Sequence, residues 1–578
     1  MRNFLVAIGA AILSCACSDS TVKPSSDAQW PFSTDISQYN YTARESVMPP
    51  KSDYHQTWME LLEANPCTSI SFLPSPYDLD DRNLFDQDDL WADNFENRLM
   101  CIEMDVIEAW AKDNKIRLSR VLPVVRSLIG ADPIRINGYF DDITVTQGES
   151  LSLSLAAGVL TRGLTADGVT LTDTITGEQN VLSNVTAPGF VARESCKRYF
   201  RDGCAYSAQW SLPTQDIKPG AYTLTFTDAE DEAISNPLSF FVNAPAPQGK
   251  IVSVQIPTFT MQSYNLVGGA SLYKHSVADE AYQARLIDSQ LYQVSLNRPF
   301  STTLKDYHTY AVFADLLPLL TDYGYTINYV DDLDLHKSAD SITGTDIWLM
   351  IGHHEYWTQS SSTVLKDYLA GGGKILNLSG NNYWWRADYT EQNAISLCRC
   401  NPSRNKTTSV RFSSTGRFPD NVEVLGVSFA LGGYPPERRK KFMPEFANEE
   451  ERKAFLSVRV EDAQHPIFKY MDIQDKAYIS NSANWLKVEI DGLPLTEDGE
   501  LPNDIIGAED GRYTVFASAH VSQEDGNIIN LALGLDAKPT LSGGHVLTFG
   551  SVGFYNALKD PYGEGRKMLN AALEYLQD

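Results

Sequence analysis

From about residue 137 the chain alternates apolar and polar positions with period two. The stretches are Ile143-Thr-Val145, Leu151-Ser-Leu-Ser-Leu155, Val169-Thr-Leu171, Ala208 to Leu212 and Tyr222-Thr-Leu-Thr-Phe226. Successive side chains of a strand point to opposite faces, so each stretch predicts a strand with one face in a core. Turn residues at short intervals join them, which predicts a β-sandwich over 136–244. Asn243-Ala-Pro-Ala-Pro-Gln-Gly249 reads as a stiff linker. Beyond it the rhythm becomes strand, helix, strand. Strands are predicted at 325–330, 346–351, 374–378 and 545–549. Helices are predicted over 309–323, kinked at Pro318, over 360–370 and over 563–576. Repeated strand–helix–strand units imply a parallel sheet covered by helices, over 250–578.

The region before the sandwich has another period. Trp58, Leu61 and Leu62 share one helical face, as do Leu99, Ile102, Val106 and Trp110, so 51–135 reads as a helical N-terminal region. The acidic clusters Asp78–Asp81 and Asp86–Asp89 lack the Gly and Glu spacing of a calcium loop and read as solvated. Residues 18–50, rich in Ser, Asp and Pro, read as a linker. Pro219-Gly-Ala-Tyr222 entering a strand gives the sandwich an immunoglobulin-like character.

The first 17 residues have a short charged start, an apolar run from Phe4 to Leu13 and small residues around Cys15 and Cys17. The run is shorter than the roughly 20 residues a membrane span needs. The pattern predicts a lipoprotein signal peptide with Cys17 as the lipid-bearing residue, hence a bacterial exported protein at the outer membrane, cell surface or periplasm. The membrane would be touched only through that anchor. Export permits disulfides, and Cys196 with Cys204, across a polar loop, is the pairing candidate among Cys67, Cys101, Cys196, Cys204, Cys398 and Cys400. Cys398-Arg-Cys400 has poor spacing for zinc. A net charge of −27 argues against nucleic acid or anionic lipid as a partner.

Candidate chemistry concentrates in the last domain. Gly352-His-His-Glu-Tyr-Trp357 follows the strand expected at 346–351, at the carboxyl edge where α/β sheets collect active sites. Alternation sends His353 and Glu355 to one side and His354 to the other, as a metal pair or an acid/base pair. Three further motifs are Tyr264-Asn-Leu-Val-Gly-Gly-Ala-Ser-Leu-Tyr273, Ser379-Gly-Asn-Asn-Tyr-Trp-Trp-Arg386 and Trp485-Leu-Lys-Val-Glu-Ile-Asp-Gly492.

In order and spacing these four motifs resemble the C-terminal domain of the N,N-dimethylformamidase large (beta) subunit family, over about residues 250–578. The sandwich also looks like the module that precedes this domain in the family. The resemblance implies a glutamine-amidotransferase-like α/β fold and a mononuclear iron site held by Tyr273, His353 and Glu355. His354 stands where the family has Asp. Phenolate and carboxylate oxygens suit Fe(III), with zinc the other candidate, and three protein ligands leave room for water and substrate. Such a metal acidifies water and polarises an amide carbonyl. Glu489 matches the late family glutamate and is the candidate proton carrier, and Asn381 the candidate hydrogen-bond donor to a substrate oxygen. Trp357, Trp384 and Trp385 form either a pocket wall or core, and Arg386 positions a substrate carboxylate or a neighbouring loop. No Gly-x-Ser-x-Gly elbow or phosphate loop is present.

The expected protein is a multidomain, exported, iron-dependent amidohydrolase that cleaves a C–N bond of a small-molecule amide. The rival reading is a non-catalytic surface lipoprotein binding glycans or peptides on the same fold, since fold does not carry activity with it. Retention of Tyr273, His353 and Glu355 together favours the enzyme.

Overall fold

A computed structural model describes residues 136–157, 168–182, 203, 208–227, 235, 237–265, 272, 292–300, 306–391, 393–397, 420–503, 511–523, 525–538 and 544–577. The signal peptide with Cys17, the linker, the helical region at 51–135 and the ligand candidate Tyr273 lie outside the described residues. So does every cysteine, including the pair Cys196 and Cys204.

The period-two stretches form two sheets. One has three antiparallel strands, with Ser150–Ala157 between Ile136–Phe140 and Ala208–Pro213. The other has five strands, including Gly168–Asp173, Gly220–Thr227 and Leu238–Asn243. Leu151, Leu153 and Leu155 meet Leu224, Phe226 and Phe240 in one buried core, as the alternation requires.

That core runs without a break into the next unit, through Val252, Val254, Leu349 and Leu376. The seam is specific. Phe241 packs on Tyr329 with ring centroids 5.0 Å apart. Asn243 exchanges two hydrogen bonds with the Tyr329 backbone, at 2.8 and 2.7 Å.

Five parallel strands lie in the order Thr326–Asp331, Ile251–Ile256, Ile347–His353, Lys374–Gly380 and His545–Phe549. The 347–353 strand is buried along its whole length, as expected of a central parallel strand. The helices Gln359–Ala370 and Glu564–Gln577 fall where the periodicity places them.

Two expectations need correction. The helix over 309–323 is instead a 3-10 turn at Tyr310–Phe313 followed by a short helix at Leu316–Asp322. Pro318 is the third residue of that helix, so it lacks an N–H only where none is needed and does not kink it. The strand–helix alternation also stops at the His545–Phe549 strand. Beyond it the sheet continues antiparallel through Ile528–Ala537, Tyr513–Ser522 and Val458–Val460. The described residues are therefore β-rich, with several sheets and some helices. Among the described residues no helix is long and apolar enough to cross a membrane.

Candidate active site

The strand ending at His353 and the strand ending at Gly380 deliver the two central motifs to one carboxyl edge. Gly352 turns the chain with φ +87°, and a Cβ there would stand 3.2 Å from Val312. Gly380 matters for another reason. A Cβ on it would come within 2.4 Å of the Glu489 carbonyl oxygen, so the bare backbone lets the Glu489 segment close over the strand end. The helix Thr258–Tyr264 braces the other side, its Thr260 hydroxyl accepting from the Glu355 N–H at 2.9 Å. Asp332, buried, accepts from the Phe259 N–H at 2.9 Å and from Gln255 at 2.8 Å, and so pins the start of that helix.

His353 and Glu355 converge. His353 Nε2 lies 3.5 Å from Glu355 Oε2 and 3.2 Å from Glu489 Oε2. Neither approach has hydrogen-bond geometry, so this buried nitrogen has no hydrogen-bond partner among the described residues. Burial opposes charge on His353, but Glu489, Glu355 and Asp491 outweigh it and raise its pKa above the ordinary value. His354 turns away to the Ile351 carbonyl at 3.1 Å, and burial pushes its pKa down to about 3.

Glu355 is held from two sides. Tyr264 Oη donates to Oε2 at 2.8 Å and Trp385 Nε1 to Oε1 at 2.7 Å. Glu489 keeps 14% of its side chain exposed, while His353 and Glu355 are almost fully enclosed, so it is the most open of the three. The Asn381 amide reaches Glu489 Oε2 at 3.3 Å, and Asn381 Oδ1 is buried without a partner. Asp491 accepts from the backbone N–H groups of Asn381 at 2.6 Å and Asn382 at 2.9 Å. Burial lifts its pKa to about 7 against those two amides.

Three groups carried no role in the sequence reading. His308 Nε2 sits 2.8 Å from His353 Nδ1. Tyr264, at the head of its motif, stacks on His308 with centroids 3.6 Å apart. Asp491 builds the turn that presents Asn381. A pairwise contact signal between His308 and His353 would have found the first; no local motif does. The tryptophans are buried. Trp357 belongs to the core and donates to the His354 carbonyl at 2.8 Å, while Trp384 packs against Phe429 and Trp385 serves Glu355. Arg386 is half-buried at the edge of this layer.

Among the described residues no group of three or more His, Cys, Asp or Glu side chains is arranged as a metal cage. The donors near the His353 nitrogen are nevertheless hard and anionic, and that nitrogen lacks a hydrogen-bond partner among the described residues.

A family model described as N,N-dimethylformamidase beta subunit-like, C-terminal, matches residues 175–566. The chain belongs to this family. The match begins inside the two-sheet unit rather than at residue 250, so the family unit includes part of the sandwich strands. Comparison with curated proteins gives no match. Among solved structures, one titled "mmIFT52 N-terminal domain" matches at 11% identity over 57% of this chain and 97% of that chain, with a TM-score of 0.26. That likeness is too weak to bear on fold or function.

Proposed function

We propose that this chain is a hydrolase of the dimethylformamidase type, cleaving the C–N bond of a small amide with an iron ion held by Tyr273, His353 and Glu355. The observation that carries the reading is the His353 Nε2 atom, buried, close to two carboxylates and bonded to neither. Facing two carboxylates without a hydrogen bond to either, this buried nitrogen is held by charge alone, and a cation seated among those oxygens would engage the nitrogen and both carboxylates together. The carboxylate and imidazole fit such a cation, and Tyr273 supplies the phenolate by resemblance. When bound, the metal supplies Lewis acidity toward a carbonyl and lowers the pKa of water.

The remaining steps belong to the chain's own residues. Glu489, the most open carboxylate, takes a proton from the attacking water and returns it to the departing amine nitrogen. Asn381 orients Glu489 through one amide N–H and offers the other to a substrate oxygen, while its Oδ1 can accept from a substrate N–H. Tyr264 and Trp385 keep Glu355 from rotating. Enclosure of His353 and Glu355 keeps the local dielectric low, which strengthens each of these interactions.

The two-sheet unit supports an immunoglobulin-like reading, and the parallel strand order supports a glutamine-amidotransferase-like one. Export with a lipid anchor at Cys17 rests on the N-terminal sequence pattern. Metal analysis and visible absorption of the full chain test the central claim, beside Tyr273→Phe and His353→Ala. Stoichiometric iron, with a tyrosinate band that disappears in Tyr273→Phe, is the expected result. Folded protein that takes up neither iron nor zinc, with both variants unchanged, would overturn it.

A further inference from the structure

Beside His308, between the two-sheet unit and the parallel sheet, lies a partly open cavity of about 220 Å³. That is far more than the ~10–15 Å³ a single water needs. His353, Glu355 and Glu489 do not line it. Its walls are aromatic, formed by Tyr139, Phe140, Phe300 and Tyr310. The polar groups facing it are unbalanced in sign. Asp141, Asp142 and Asp331 contribute carboxylates. Arg298 is the one Lys or Arg among the described lining residues, and its guanidinium is spent on the backbone carbonyls of Ser295, Asn265 and Gln262. Lys337 answers Asp142 at 2.7 Å, on the exposed side.

Two atoms stand ready for a ligand. Asp331 uses Oδ1 to cap the helix Asp332–Lys337, and its Oδ2 has only the Thr258 hydroxyl, at 3.4 Å. Tyr310 Oη is buried and has no hydrogen-bond partner among the described residues. We propose that this cavity binds a small organic ammonium, with its charge on Asp331 and Tyr310 and its apolar body against the aromatic walls. Ring faces attract cations, and a desolvated carboxylate beside them is the usual complement. Burial, with Asp334 and Asp332 nearby, holds the Asp331 carboxyl well above the usual range, and an incoming cation would reverse that cost. Because His308 is a wall of the cavity and also touches His353, the occupant is one residue removed from the catalytic cluster. The site does not depend on the metal.

Calorimetric titration of the full chain with benzylammonium, and with benzyl alcohol as its neutral counterpart, tests this. Three variants accompany it. Asp331→Asn removes the carboxyl that would ionise against a cation while keeping the helix cap, since Asn caps about as well as Asp. Tyr310→Phe removes a hydroxyl that has no partner to lose. His353→Ala disables the catalytic cluster. Expected are saturable binding of benzylammonium, at least about tenfold weaker in Asp331→Asn, weaker in Tyr310→Phe, and unchanged in His353→Ala. Absence of binding, or equal binding of benzyl alcohol, would overturn the proposal. Loss of binding in His353→Ala alone would overturn it too, by placing the ammonium in the catalytic cluster.

Discussion

His308 Nε2 and His353 Nδ1 stand 2.8 Å apart, both side chains buried, with the Tyr264 ring stacked on His308. Two ring nitrogens at that distance share one proton. Burial, and the neighbouring His353, hold His308 well below its ordinary pKa, so it stays neutral and can accept from His353 Nδ1–H. That commits Nδ1–H to His308 and leaves Nε2, whose proton Glu355 and Glu489 hold, as the nitrogen that would give up its proton to a metal. Partners of this kind behind a metal-binding histidine typically contribute about 10–100-fold to metal affinity. His308→Phe, which keeps the stack and loses the acceptor, is therefore expected to weaken iron binding by about that factor, with His308→Gln recovering part. Competitive chelator titration measures it, with melting temperature as the control for folding.

The two glutamates differ in their surroundings, and the proposed roles follow that difference. Glu355 is fixed by Tyr264 and Trp385, which suits the proposed ligand, whereas Glu489 keeps part of its side chain accessible to solvent. Glu355→Gln is expected to lose metal. Glu489→Gln is expected to keep it and lose about 10²–10⁴-fold in turnover, the usual weight of one proton carrier. Metal content measured alongside single-turnover rates on an amide panel distinguishes them. Equal metal loss in both variants would contradict the division.

Much of this arrangement is legible in the sequence, for a physical reason. Strands with one face in a core must alternate, so Ser150–Ala157 and Gly220–Thr227 announce themselves, and fully buried parallel strands such as Ile347–His353 read as apolar runs between helices. The antiparallel extension is harder to see. In Ile528–Ala537 the last seven residues are all buried, which erases the alternation. His308 is harder still. It sits 45 residues before His353, in a 3-10 turn at Asp306–His308 with no motif of its own, and only the folded chain brings the rings together. Asp491 was visible as part of Val-Glu-Ile-Asp, but its duty toward two backbone amides follows from the left-handed turn at Asn381, φ 47°, which a single sequence does not display.

That turn yields a prediction in which stability and activity part company. Asn381 and Tyr383, φ 55°, both occupy the left-handed region, which favours glycine. Asn381→Gly removes backbone strain together with the contact to Glu489. Its melting temperature should hold or rise slightly, while turnover falls. Asp491→Ala does the opposite to the framework. It strips two buried N–H groups of their acceptor and should cost about 1–3 kcal/mol of stability. Urea melts of the two variants, paired with rates, test the separation. A turnover loss in Asn381→Gly that simply tracks lost stability would show that the residue is only structural.

Far from the site, Asp536 joins three elements. His545 Nε2 lies 2.5 Å from its Oδ1, while Tyr575 Oη at 2.7 Å and His465 Nε2 at 3.3 Å meet Oδ2. Tyr575 belongs to the C-terminal helix Glu564–Gln577, so this carboxylate fastens that helix to the sheet. Burial opposes its ionisation, but the hydrogen bonds from His465 and His545, with Tyr575 adding to them, outweigh burial and hold its pKa well below the carboxylate range. A depressed carboxylate means that, between the folded and unfolded pKa values, the unfolded chain binds the extra proton. The stabilisation is then complete above the unfolded value of about 4 and is lost as pH falls toward the folded one. Asp536→Asn is expected to lower stability at pH 7 by about 1–3 kcal/mol and to flatten the acid limb below about pH 4. Thermal melts from pH 7 to pH 2 read both effects. A variant whose acid limb runs parallel to that of the unmodified chain would show that Asp536 does not anchor the C-terminal helix through its charge.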